Sequence, residues 1–263
     1  MSEPILHDEE QGDGSPALVF LHYFAGSLRS WTHVAGDLSR IYRCLRIDLP
    51  GFGRSPPLRA FSVDAVAQVL SRRIAGLRLE SFVLIGHSMG GKLALACAAA
   101  HPPSLAGVVL VAPSPPSPEP MDEKERARLL TTHRDRASAE HTLRMITQRP
   151  ILAEEAEICI ADNLMTSADA WNWWLAQGSR ENITAQAERI VCPVLVLGGS
   201  ADPVIPPPVI TTEVMPRLAD ASRVEIARAG HLLPFEASKE VADSIQRFVR
   251  ERCRGTAPRA DRS

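Results

Sequence analysis

Short apolar runs alternate with amphipathic stretches along most of the chain. Residues 17–22 are apolar and rich in β formers, and they follow the turn signal Gly12-Asp13-Gly14-Ser15-Pro16, so they predict a strand. Helical spacing runs from about 27 to 40, a second strand reads from 42 to 48, and Pro50-Gly51-Phe52-Gly53 breaks the pattern. Residues 63–79 and 88–100 have helical periodicity, 82–86 reads as a buried strand between them, and 105–112 as a fourth strand. Apolar strands alternating with helices predict an α/β fold: a mostly parallel sheet covered on both faces, with right-handed crossovers.

The alternation stops at the proline-dense segment 113–120, which can continue neither helix nor sheet. From 122 to 189 the chain reads helical with no convincing strand; strands resume at 193–198 and 224–227, and 238–252 is an amphipathic helix. The pattern divides the chain into a core of 1–113 with 191–255, a helical cap of 114–190, and a polar tail of 256–263 expected to be disordered. A helical block leaving and rejoining at strand C-termini is placed to cover a ligand crevice.

Composition narrows the function. The 263 residues are 45% hydrophobic and 23% charged with a formal net charge of -2, a globular mix without the basic excess that nucleic acid or an anionic membrane would draw. The longest apolar run, 93–100, is far short of the roughly 20 residues of a membrane span. The acidic N-terminus does not read as a secretory signal. Cys44, Cys97, Cys159, Cys192 and Cys253 are scattered without a paired spacing, which points to idle thiols in a reducing cytoplasm and to neither zinc nor a disulfide framework. No metal and no cofactor are expected.

The strongest chemical signal is Gly86-His87-Ser88-Met89-Gly90-Gly91, after a predicted strand and opening a predicted helix. A serine on so tight a turn stands above the sheet, the small flanking residues let backbone pass close by, and the helix N-terminus favours developing negative charge. A structural reading would make Ser88 only an N-cap. A serine nucleophile needs a base. Of the eight histidines, His231 lies after the last strand and before the last helix, at the same sheet edge as Ser88. His133 and His141 lie in the cap and read as surface residues, and His87 points away on any tight turn. Asp202, directly after the fifth long strand, is the carboxylate best placed to orient His231; Asp220 and Glu225 are the alternatives.

With these residues in place, the chain resembles the α/β-hydrolase family over nearly its whole length. The order Ser88, Asp202, His231 is that family's order. His22-Tyr23-Phe24-Ala25-Gly26-Ser27 is similar to its oxyanion-loop segment, and Asp48-Leu49-Pro50-Gly51-Phe52-Gly53-Arg54-Ser55 to its D-x-P-G-x-G-x-S loop. The resemblance, which is finest to small bacterial serine esterases, implies a Ser88-His231-Asp202 triad and an oxyanion hole of the Phe24 and Met89 backbone N–H groups. It also implies a small-molecule acyl substrate. Serine at the elbow sets the chain apart from relatives that use aspartate there, the dehalogenases and epoxide hydrolases.

Two departures stand out. Tyr23 replaces the glycine usual after the histidine, which puts strain into that loop and brings a ring toward the site. The N-terminus has room for one short strand, around 3–8, giving about seven strands. Tyr23, Trp171 and Trp174 are the candidate substrate-binding residues; the competing reading of the tryptophans is packing between cap and core. Trp31 reads as helix packing, Lys92 as structural or solvated, and Asp48 and Arg54 as loop-fixing. The expected activity is hydrolysis of a small carboxylic ester, thioester or lactone. Alternatives on the same triad are C–C bond hydrolysis, a lyase or a cofactor-free perhydrolase; lyases of this fold rely on a cap lysine, and the cap has only Lys124. A non-catalytic ligand-binding protein is the alternative of another class.

Overall fold

The computed structural model describes residues 5–253. Seven strands form one sheet: β1 (Asp8–Gln11), β2 (Ala17–Leu21), β3 (Cys44–Ile47), β4 (Phe82–His87), β5 (Leu105–Val111), β6 (Val194–Gly199) and β7 (Ala221–Ile226). Their spatial order is β1-β3-β2-β4-β5-β6-β7, parallel throughout except for β1, which runs antiparallel to β3. The sheet and the α/β class agree with the pattern of apolar runs.

Alternation along each strand sorts the core into two layers. Leu18 and Phe20 of β2, Val83 and Ile85 of β4, and Val109 and Val111 of β5 share a cluster with α1 (Thr32–Leu38) and the last helix. Val19, Leu21, Leu84, Val108 and Leu110 face the opposite cluster, under α2 (Val63–Gly76) and α3 (Met89–Ala98). Ser62 caps α2 by accepting from the Ala65 N–H at 3.0 Å. Trp31 is fully buried in the first of these layers, 5.2 Å from the Phe20 ring.

Between β5 and β6 lie α4 (Glu123–Thr131), α5 (Arg136–Ile146), α6 (Ala153–Met165), α7 (Ala168–Ala176) and α8 (Thr184–Ala187), with no strand among them. Short turns α9 (Pro207–Val209) and α10 (Leu233–Glu236) follow, and α11 (Ser238–Arg252) ends the described chain. Among the described residues no helix is long and apolar enough to cross a membrane.

Two strands differ from expectation. The N-terminal strand is at 8–11 rather than 3–8, and residues 1–4 lie outside the described ones. Its sequence is wholly polar, so no apolar period marks it. Its side chains pair instead with Arg73, Arg46 and Arg43, through Asp8 at 2.7 Å, Glu9 at 2.9 Å and Glu10 at 2.7 Å. Charge of this kind is how an edge strand avoids further pairing. The last strand begins at 221 rather than 224, again because an edge strand half open to solvent need not be apolar. The expected tail at 256–263 lies outside the described residues.

The two chain segments that join cap and core are bonded to each other and to one buried cation. Glu119 N–H donates to the Ser179 carbonyl at 2.7 Å, and Ile183 N–H to Pro116 at 2.8 Å. Lys92 of α3 is fully buried, and its Nζ donates to the carbonyls of Ser117, Ser179 and Glu181 at 3.1, 3.3 and 2.7 Å. Burial pushes its pKa down to about 8, with Glu119 and Glu181 opposing. Removing a donor from buried acceptors costs their desolvation. Lys92→Met is therefore expected to lower stability by about 1–3 kcal/mol, read as a lower urea midpoint, and to speed proteolytic cleavage within the cap.

Candidate active site

The parallel sheet delivers β4, β6 and β7 to one edge, and the loops leaving them carry the candidate side chains Ser88, Asp202 and His231. Ser88 sits between β4 and α3 with φ 52° and ψ -116°, a region costly for any residue with a side chain. Two close approaches make the turn possible. A Cβ on Gly86 would lie 2.2 Å from the Gly90 carbonyl oxygen, and one on Gly90 would lie 2.5 Å from that of His22. Ser88 N–H donates to Val111 at 3.0 Å, and its carbonyl accepts from Ser114 N–H at 3.0 Å.

Ser88 Oγ lies 2.9 Å from His231 Nε2, and His231 Nδ1 lies 2.9 Å from Asp202 Oδ2. The other Asp202 oxygen accepts from the N–H groups of Val204 and Ile205 at 2.8 and 3.0 Å, which fixes the carboxylate. All three residues are buried. Burial pushes the His231 pKa down, but the charge and hydrogen bond of Asp202, with Glu119 and Glu236, outweigh it and hold it above the ordinary 6.5. Asp220 and Glu225 are elsewhere, paired on the surface with Arg252 and Arg223 at 2.6 and 2.8 Å.

Met89 N–H is the first of α3 and has no intrahelical acceptor. Among the described residues neither it nor Phe24 N–H donates to another backbone group. The strain expected at Tyr23 falls instead on Ala25, at φ 62°. Tyr23 has no positive φ; its ring lies over Gly26, where a Cβ would come within 2.4 Å, and 5.1 Å from the His87 ring. The loop is held from below by His22, whose Nδ1–H donates to the Tyr23 carbonyl at 2.8 Å while Nε2 accepts from Leu49 N–H at 3.0 Å. Asp48 accepts from Leu28 and Arg54 N–H at 2.7 and 2.8 Å, tying the two loops together.

Over Ser88 and His231 lies a cavity of about 380 Å³. Tyr23, Phe24, Trp171, Trp174, Leu129 and Ile146 are among its walls. Trp171 and Trp174 do both things weighed for them: they line the cavity and pack, their rings 4.9 and 6.5 Å from Phe24. Trp173 turns away, 5.2 Å from Phe61. Tyr23 and Cys159 belong to one buried cluster, and burial pushes that thiol up to about 12. Of the two cap histidines, His141 is exposed as expected and sits where the cavity meets solvent, whereas His133 is half-buried against Trp171 at 5.2 Å. The cysteines are all free. Among the described residues there is no cluster of three or more His, Cys, Asp or Glu able to hold a metal.

Sequence reasoning missed the groups that hold His231. His87 Nε2–H donates to the His231 carbonyl at 2.8 Å; burial first, then the neighbouring His231, keeps this imidazole well below the usual range and neutral. Glu236 accepts from Gly230, Gln148 and Arg149 N–H at 2.8 Å each and from Leu232 N–H at 3.1 Å. His231 N–H itself donates to the Ile146 carbonyl of the cap at 2.8 Å. Nothing in spacing marks Glu236, because its partners are backbone groups, two of them just before it in the histidine loop and two in the distant 148–149 segment.

A family model described as "Alpha/beta hydrolase family" matches residues 18–244. The 2-succinyl-6-hydroxy-2,4-cyclohexadiene-1-carboxylate synthase of Enterobacter sp. (strain 638) is 36% identical over 114 residues, covering 43% of this chain and 44% of that protein. The chain thus spans about half the length, or less, of the curated relatives it matches. Among solved structures, an esterase from Exiguobacterium antarcticum superposes with a TM-score of 0.86 at 18% identity, over 94% of this chain and 96% of that one. A thermophilic esterase from Thermogutta terrifontis, with malate bound, superposes with a TM-score of 0.74 at 25% identity, over 94% and 93%.

The Glu236 clamp generates a direct expectation. Glu236→Ala leaves four backbone N–H groups without their acceptor, at about 1–3 kcal/mol for each that stays buried. A loss of several kcal/mol in urea unfolding, with Glu236→Gln falling between the two, is the expected result.

Proposed function

The chain belongs to the alpha/beta hydrolase family, and on that premise we propose that it is a serine hydrolase cleaving a small carboxylic ester, thioester or lactone through an acyl-enzyme. The observation that carries this reading is the hydrogen-bonded chain from Ser88 through His231 to Asp202, opening on an apolar cavity. His231 takes the Ser88 proton as Oγ attacks the carbonyl carbon. Asp202 holds the tautomer that points Nε2 at Ser88 and stabilises the imidazolium. The N–H groups of Phe24 and Met89 receive the oxyanion; one such donor is typically worth about 10²–10³ in rate. His231 then protonates the leaving group, and water, deprotonated by His231, releases the acid. Tyr23, Trp171 and Trp174 supply the apolar wall against the substrate.

A second reading, a synthase, is favoured by the likeness to the curated relatives. Their named product is a carboxylate bearing a succinyl group. The cavity here is lined by no Lys or Arg, and an unpaired carboxylate buried in it would be costly. That weighs toward neutral acyl substrates.

Release of p-nitrophenol from acetate, butyrate and octanoate esters tests the proposal. Ser88→Ala is expected to lose at least about 10⁴-fold in kcat/KM. Wild-type protein that is folded yet no faster than the variant would refute it. The pH dependence follows from His231. The working form is the neutral imidazole, and the folded pKa is raised, so kcat/KM is full at alkaline pH and falls as pH drops through a midpoint above 6.5. Asp202→Asn removes the raising charge; its acid limb is expected to move to lower pH while the rate drops by about 10⁴.

A further inference from the structure

The cavity wall is uneven in charge. Its only charged side chains besides histidines are the carboxylates Glu119, Asp122 and Glu125, all at the approach to α4 or on its first turn. Two of these are occupied. Asp122 Oδ1 caps α4, accepting from Lys124 and Glu125 N–H at 2.9 and 3.0 Å. Glu125 is held by Arg128 through two bonds of 2.8 and 2.6 Å. Glu119 is different. It is 7% exposed, it shares the cavity with Ser88 and His231, and its Oε2 has no hydrogen-bond partner among the described residues. The fully buried Ser114 Oγ is also without one. This hydroxyl lies near enough to Glu119 to favour its charged form, yet outside hydrogen-bond geometry.

The nearby cation does not pair with Glu119. Lys92 directs Nζ at three carbonyls instead. Burial pushes the Glu119 carboxyl up, against the pull of Ser114, Lys92, His231 and Arg126. Native proteins satisfy nearly all buried polar atoms, and an unpaired carboxylate oxygen on a residue lining the same cavity as Ser88 calls for a functional cause.

Building on the serine-hydrolase reading, we propose that Glu119, with the Ser114 hydroxyl beside it, is a specificity-determining residue that accepts a hydrogen bond from a hydroxyl or ammonium group carried by the substrate. Such a group gains a charge-assisted bond in a water-poor wall. A substrate carboxylate at the same place meets a second carboxylate and no Lys or Arg, so the site rejects it by repulsion and desolvation. The predicted substrate class is therefore the hydroxy- or amino-substituted ester, with an apolar body seated against Trp171 and Trp174.

Calorimetric titration of Ser88→Ala with 1-hexanol, hexylammonium chloride and sodium hexanoate reads recognition without turnover, and the Ser88→Ala/Glu119→Gln double variant keeps the shape of the wall. The expected result is that hexanol or hexylammonium binds about 10-fold or more tighter than hexanoate, and that this ratio falls about 10-fold in the double variant. Preference for hexanol assigns a hydroxyl ligand, and preference for hexylammonium an amine. Equal affinities, a preference for hexanoate, or a ratio that Glu119→Gln does not move would overturn the proposal. Hydrolysis of p-nitrophenyl 6-hydroxyhexanoate and 6-aminohexanoate by the wild type separates the two readings. A binding ratio that behaves as expected without ester turnover would leave Glu119 as a recognition residue and remove the hydrolase. Turnover with an unresponsive ratio would do the reverse.

Discussion

A residue with a side chain held at φ 52° between a strand and a helix is unfavourable by about 1–3 kcal/mol, and the surroundings of Ser88 are arranged to hold it there. The parallel strands on either side of β4 fix where the turn begins. Gly86 and Gly90 let the turn close against its own backbone and against the loop of His22. The Ser88 N–H and carbonyl are both taken up by the end of β5 and the start of the hinge that leads into the cap. Strain at this point is thus offset by contacts drawn from several segments distant in sequence, and Ser88 Oγ is held at the sheet edge.

The same economy governs His231. Its ring is fixed by Asp202, its carbonyl by His87, its N–H by Ile146, and the loop around it by the Glu236 carboxylate. Two of these partners reach into the cap segment 146–149. The cap therefore does more than roof the cavity, because its backbone is part of what orients the imidazole. Asp162 of α6 extends this logic to the other side of the site, accepting from Ser27 Oγ at 2.7 Å and from Arg29, just beyond the oxyanion loop. The cap, the 22–29 loop and the loop of His231 are coupled by buried hydrogen bonds, which are strong where water is excluded and costly to break singly.

The wall of the cavity beside Ser88 is largely apolar, with the Glu119 carboxylate oxygen left without a hydrogen-bond partner. Lys92, a buried cation that acts on Glu119, serves architecture instead. It draws the entrance and exit of the cap onto α3 through three carbonyls, close to Ser88 in sequence yet pointing at the hinge. A buried positive charge four residues from Ser88 in sequence thereby holds together the segments that enter and leave the helical block between β5 and β6.

Apolar runs made the parallel strands and the helices under them legible, since a strand buried on both faces must be apolar and a covering helix must carry a stripe. The tight glycine-flanked turn and the loops after β6 and β7 made Ser88, Asp202 and His231 legible as candidates, because strand ends of a parallel sheet converge on one edge. Edge strands β1 and β7 were blurred or displaced, since β1 is wholly polar and β7 is half open to solvent. The strain in the oxyanion loop moved from Tyr23 to Ala25 because backbone angles follow from how the loop is tied to His22 and Asp48, which composition does not encode. Glu119, His87 and Glu236 carried no local signal. Each acts at least in part through groups far along the chain, and a carboxylate's role depends on which N–H, cation or cavity folding places beside it.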